Sequence, residues 1–197
     1  MTDGEWPKTL AERLFEQRVV VLHGALDDTV ATRVSAELMT LDAEGDGPVT
    51  LRIDSADGSV ALALTVMDVI ELLGVPVRAL CLGQVGGPAV GVLSVCAHRS
   101  SMPSTRFSLR EPTTHMEARA REVEQWAQLR ADEHRRFTER VAAAAGQPVG
   151  SVAGLFAAGT FMSAQEALDY GLIDEICRPR GEIHRMPAPP IGFRPGR

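Results

Sequence analysis

Apolar and polar positions along the chain fall into a repeated strand, turn and helix. Arg18–Leu22 (RVVVL) is a β-branched run closed by His23-Gly24, the pattern of a buried strand. Val30, Val34, Leu38 and Leu41 then recur at helical spacing, with Asp27 or Asp28 placed to cap that helix. Gly45–Pro48 resets the chain into a second strand, Val49–Ile53. Asp54–Ser59 (DSADGS) is a turn in which Gly58 can take positive φ. The next amphipathic helix carries Val60, Leu64, Met67 and Ile70 and stops at Gly74, with Pro76 beyond. Val77–Cys96 (VRALCLGQVGGPAVGVLSVC) is the third unit. It reads as a strand with Val77, Leu80 and Leu82 that breaks at Gly83, an elbow at Gly86-Gly87-Pro88, and a small-residue helix from Ala89 to about Ala97. Three such units joined by short turns predict an α/β fold with parallel strands.

Further along, Arg106–Leu109 predicts a fourth short strand, ending at Pro112. Met116–Ala145 predicts a long charged helix with Val123, Trp126, Leu129, Phe137 and Val141 as its apolar stripe, stopped by Gly146. Its length suits an arm reaching toward another subunit. Pro148 suits the first turn of the following helix. Ser163–Glu166 is a capping box opening a helix that stops at Gly171, before a strand over Leu172–Cys177. The division expected is a short N-terminal segment (1–12), one domain (13–177) and a proline- and arginine-rich tail (178–197), expected to be disordered.

Composition narrows the class. Apolar residues make up 45% of 197, enough for a core within one domain. The 26 acidic against 20 basic residues give a net charge of −6, which argues against nucleic acid as main partner. Three cysteines without metal-ligand spacing fit a reducing compartment, and no metal or cofactor is expected. Met1–Trp6 lacks the character of a secretory leader, and no apolar run approaches a membrane span of ~20 residues. These features lead to an expectation of a soluble cytoplasmic protein.

The elbow carries the candidate chemistry. A glycine-rich turn into a helix start presents unpaired amides and partial positive charge, which serves anion or oxyanion binding. In many hydrolases the same elbow holds a nucleophilic serine, and none stands here.

Several segments in order resemble the proteolytic subunit of the Clp protease (ClpP), within the ClpP/crotonase group. They are RLFEQRVVVLHGALDD, DSADGSV, CLGQVGGPAVG, MPSTRFSLREP, AAAAGQP and FMSAQEALDYGLIDEI, spanning about Arg13 to Cys177. The resemblance implies repeated ββα (spiral) units with a long protruding handle helix at about 116–145. It also implies a Ser-His-Asp triad, and here the matching positions hold Gly87, Arg110 and Gly159. Of the oxyanion positions, Gly58 remains, while the other is Pro88, which has no N–H. Hydrolysis needs an activated nucleophile and a proton acceptor, and these residues supply neither. Arginine stays protonated near neutrality, so Arg110 is expected to pair with Glu111, Asp57 or a partner's carboxylate. Ser94, Cys96, His98, Ser100 and Ser101 are the remaining candidates for a substitute site. Ser94 and Cys96 are expected to pack in the core, and His98–Ser101 to form an exposed turn.

Other departures from the family concern assembly. Only Met1–Glu12 stands where members carry an axial hairpin, and Thr113–Arg119 replaces a glycine-rich substrate strand. Thr50 and Arg52 occupy two aromatic positions of the ATPase-docking pocket. Ile191-Gly192-Phe193 reproduces the tripeptide that Clp ATPases dock into Clp peptidase rings. The resemblance thus implies an inactive structural or regulatory subunit, in a ring with itself or with active Clp subunits, its link to a Clp ATPase in doubt. The alternatives are a crotonase-like acyl-CoA-binding enzyme using the elbow, or, third, a residual serine peptidase.

Overall fold

A computed structural model describes residues 8–111 and 123–177. In chain order the elements are α1 (Lys8–Glu16), β1 (Val19–His23), α2 (Asp28–Glu44), β2 (Val49–Ser55), α3 (Val60–Leu72), β3 (Val77–Gly86) and α4 (Pro88–Ser94). They continue with β4 (His98–Ser101), β5 (Arg106–Leu109), α5 (Val123–Ala145), α6 (Val149–Ala158), β6 (Thr160–Ser163), α7 (Ala164–Tyr170) and β7 (Glu175–Ile176). The sheet runs β1-β2-β3-β4-β7, all parallel, so the expected α/β class holds.

Strand β3 does not break at Gly83. It pairs with β4 through Arg78–Cys81, kinks at Gly83 (φ +49), and then pairs with β5 through Gln84–Gly86. Between Ile53↔Cys81 and Ser55↔Val85, β2 advances two residues while β3 advances four, a bulge that turns β3 toward a second neighbour. Asp54 Oδ1 fastens it by accepting from the Gln84 amide at 3.0 Å. A Cβ at Gly83 would lie 2.6 Å from that same oxygen, so glycine is required twice over.

Burial alternates along the strands. Val20, Leu22, Leu51, Ile53, Ala79 and Cys81 are buried on one face, whereas Val21, Arg52 and Leu80 on the other are half-buried. The run in β1 is thus buried on one side only. Asp27 caps α2, accepting from the Val30 amide at 2.9 Å. Helix α3 ends at Leu72, before Gly74, and Asp42 Oδ1 secures the turn by accepting from the amides of Gly74 and Val75, both at 3.0 Å.

Helix α4 is shorter than its sequence predicts, and His98–Ser101 is a parallel strand rather than an exposed turn. Its polar side chains find distant partners: Ser100 donates to the Ala79 carbonyl at 2.8 Å, and Arg99 is held by Asp174. Cys96 is buried as expected, whereas Ser94 is half-buried and donates to the Gly91 carbonyl. The α5 stripe divides. Phe137 and Val141 enter the core, and Val123, Trp126 and Leu129 stay 42–47% exposed. A Cβ at Gly91 of α4 would sit 2.2 Å from Phe137 Cε2, so glycine permits the close approach of α4 and α5. The capping box of Ser163 and Glu166 forms as read. The last strand covers only Glu175–Ile176 of the expected Leu172–Cys177, because Leu172 and Ile173 turn into the core instead.

Candidate functional site

Three strands and a turn bring the candidate positions together. Gly87 links β3 to α4 at φ +47, ψ −123, a backbone conformation that L side chains rarely adopt. Its amide donates to the Ser108 carbonyl at 2.9 Å, and its carbonyl accepts from Val90 at 3.2 Å. A Cβ built there would stand 3.5 Å from the Arg110 carbonyl oxygen and 3.6 Å from that of Ala56, ordinary contact distances. The elbow therefore has room for a Cβ and carries none.

Arg110 follows β5 and is exposed. The antiparallel register Leu109↔Thr160 sets Arg110 across from Gly159, the left-handed cap of α6 (φ +66, ψ +46). Nothing lies within 4 Å of a Cβ on Gly159. The sheet thus gathers Gly87, Arg110 and Gly159 at one end of β3, β5 and β6, with no nucleophile or titratable base near neutrality among the three.

Gly58 bridges to Leu26, and a Cβ there would lie 2.6 Å from the Leu26 backbone. Its amide donates to Asp57 Oδ1 at 2.8 Å. Pro88 opens α4 and brings no N–H. Neither of the two positions expected to line an oxyanion hole thus offers a free donor. The expected pairing of Arg110 with Glu111 or Asp57 is not formed. Asp57 caps Gly58, and Glu111 Oε1 faces His134 Nε2 at 3.7 Å. His134 packs between Phe137 and Phe156, whose rings are too apolar to compete for that carboxylate.

Sequence reading missed Ser108. It is a nearly buried residue of β5, opposite Gly86 on β3 and Phe161 on β6. Phe161 is 68% exposed beside this end of the sheet. Alternation in RFSLR puts Ser108 and Arg110 on one face, the signal that could have drawn attention to it.

The second cluster of candidates forms no catalytic set. Cys96 Sγ donates to the Val92 carbonyl, and burial pushes its thiol up to about 12. Burial, with a smaller effect of the neighbouring Cys96 and Cys177, raises the Cys81 thiol further. His98 faces Asp174 and Glu175, and Ser101 donates to the Met102 carbonyl. Among the described residues no three His, Cys, Asp or Glu side chains are placed to hold a metal, and no single helix is long and apolar enough to cross a membrane. Thr50 and Arg52 lie on the half-buried face of β2, Arg52 between Val21 and Leu80. The 1–7 segment, Thr113–Arg119, the first turns of the predicted handle and Ile191-Gly192-Phe193 lie outside the described residues.

Two comparisons bear on this arrangement. The family model for Clp protease matches residues 3–180. The ATP-dependent Clp protease proteolytic subunit 2 of Thermobifida fusca (strain YX) is 32% identical over 171 residues, covering 84% of this chain and 83% of that protein.

Proposed function

We propose, from the premise that the chain belongs to the Clp protease family, that it is a non-peptidolytic subunit of a Clp-type ring, with a structural or regulatory role. The observation that carries this reading is the elbow at Gly87. It keeps a strained backbone and room for a Cβ, yet holds no side chain. Arg110 and Gly159 beside it offer no general base and no group to orient one. Pro88 and the Asp57-capped Gly58 amide leave a developing oxyanion without donors.

Assembly into a ring of like subunits, or a mixed ring with active Clp subunits, is supported by the exposed row Val123, Trp126 and Leu129. The Ile191-Gly192-Phe193 tripeptide is proposed as a docking element toward an active Clp ring. A cytoplasmic location follows from the same family reading. The crotonase-like alternative is weaker, since Pro88 and Asp57 remove the same donors that a thioester enolate would need.

The test is co-expression of the tagged chain with a catalytically active Clp subunit of its own host. Recovery of one stoichiometric ring whose peptidase activity scales only with the active subunit is expected. Failure to assemble, or turnover by this chain alone, contradicts the reading.

A further inference from the structure

The face of the sheet turned away from the core carries two arginines without a counter-charge. Leu51, Ile53, Ala79 and Cys81 are buried on the covered side. On the other side Val19, Val21, Thr50, Arg52 and Leu80 stay half-buried and Arg78 is exposed. Parallel register sets Arg52 between Val21 and Leu80, and Arg78 between Thr50 and His98. The two side chains therefore rise from one face of adjacent strands, on a diagonal of about 7–8 Å. Among the described residues neither enters an ion pair or a side-chain hydrogen bond, and Arg52 Nε is buried with no acceptor. The carboxylates around them are already engaged. Asp54, two residues along β2, holds His23 and the Gln84 amide. Asp174 and Glu175, beyond β4, hold Arg99 and His98.

We propose that this face of β1, β2 and β3 docks an extended acidic segment of a partner protein. In an extended chain, residues i and i+2 point the same way and are separated by two rises of ~3.3 Å each. Carboxylates at that spacing match the Arg52–Arg78 diagonal, each accepting charge-assisted bonds from one guanidinium. Aliphatic residues two positions before and after them would lie over Val19, Val21 and Leu80 and take that apolar surface out of water. Charge selects the occupant. Two neighbouring arginines with no anion between them repel, and an arriving carboxylate removes that repulsion and offers Arg52 Nε an acceptor. The chain's own tail, residues 178–197, holds five arginines and one glutamate, the wrong sign for this face. The whole chain, at a net charge of −6, repels an acidic peptide at long range, so capture of one reports a local site rather than general attraction.

Isothermal titration of the full chain in its native assembly tests this with the acetylated peptide amide Val-Ser-Glu-Ser-Glu-Ser-Leu. Its twins with Gln or Lys at both Glu positions, a peptide of residues 187–197 and a thymidine oligonucleotide are the comparison probes. At low salt the Glu peptide is expected to bind about tenfold tighter than the Gln twin, with the preference shrinking as salt rises. The Lys twin and the basic tail peptide are expected not to bind. Arg78→Gln, at an exposed position, is expected to reduce the preference about threefold. Arg78→Glu is expected to transfer it to the Lys twin while circular dichroism reports a retained fold, a reversal that a merely structural arginine would not produce. Equal affinity for Glu and Gln forms, or no binding of either, overturns the inference. So does tighter binding of the tail peptide or the oligonucleotide, or an unchanged preference in Arg78→Glu. Peptidase activity enters none of these outcomes, so the reading of an inactive subunit stands or falls separately.

Discussion

Arg99 is the side chain whose loss the structure prices most clearly. It is 13% exposed on β4 and reaches three elements that follow it by many residues. Its Nη2 and Nε donate to Asp174 at 2.5 and 3.2 Å, and its Nη1 donates to the carbonyls of Ala144 and Gly171 at 3.0 Å each. Arg99→Met keeps much of the stem and removes every one of these bonds. Two carbonyls lose a charged donor at about 1–3 kcal/mol each, and the partly solvated Asp174 adds less. The sum is about 4 kcal/mol, which for a chain of this size lowers Tm by ~8–16 °C. Thermal melts at fixed protein concentration, with wild type and variant compared at neutral pH, read this directly. The acid limb gives an independent check. The Asp174 carboxyl is held below its ordinary value of 3.8, first by the Arg99 side-chain bond against an opposing desolvation. A group with a depressed folded pKa contributes stability that is complete above its unfolded value and is lost as pH falls through the folded one. Wild type is therefore expected to lose this stability below about pH 4, and Arg99→Met to show a flatter dependence there. A loss under about 1 kcal/mol at neutral pH, or an unchanged acid limb, refutes the account of Arg99 as a clamp.

Three further outcomes follow from particular contacts. Gly91→Ala drives a methyl to 2.2 Å from Phe137 Cε2 and 3.0 Å from Met67 Sδ in the core, so a loss of about 3 kcal/mol is expected in denaturant unfolding; a neutral substitution contradicts the close packing of α4 on α5. Trp126→Lys with Leu129→Lys, both on the exposed row, is expected to shift light-scattering mass toward the 21.2 kDa monomer, and an unchanged mass removes that row from any interface. Truncation after Cys177, or Phe193→Ala, is expected to weaken binding to a catalytically active Clp ring by surface plasmon resonance; equal binding by both variants leaves the tail without a docking role.

What could be read from the residues were the features whose causes are local. The Asp27 cap of α2, the Ser163–Glu166 box and the elbow at Gly86-Gly87-Pro88 are each set by neighbours a few positions apart. Strand β4 was illegible because HRSS looks like a solvated turn until Ala79 and Asp174 are seen to satisfy it across the fold. The continuation of β3 past Gly83 depends on Asp54, 30 residues away, fastening a bulge that no periodicity announces. Apolar spacing in α5 showed one stripe, but only contact with α4 and α6 decides that Phe137 is core while Trp126 faces out. At the site, the convergence of Gly87, Arg110 and Gly159 followed from resemblance. The filling of the Gly58 amide by Asp57, and the turning of Glu111 to His134, needed side-chain positions.

On the proposed reading, the elbow at Gly87 carries no serine-hydrolase chemistry. The most direct measurement is intact-mass analysis of the purified chain after exposure to a fluorophosphonate, alongside turnover of a fluorogenic peptide. No mass gain and no turnover above a heat-denatured control are expected, and Gly87→Ser alone is expected to restore neither, because base, orienting acid and oxyanion donors stay absent. Stoichiometric labelling of a native serine, with turnover, would contradict it.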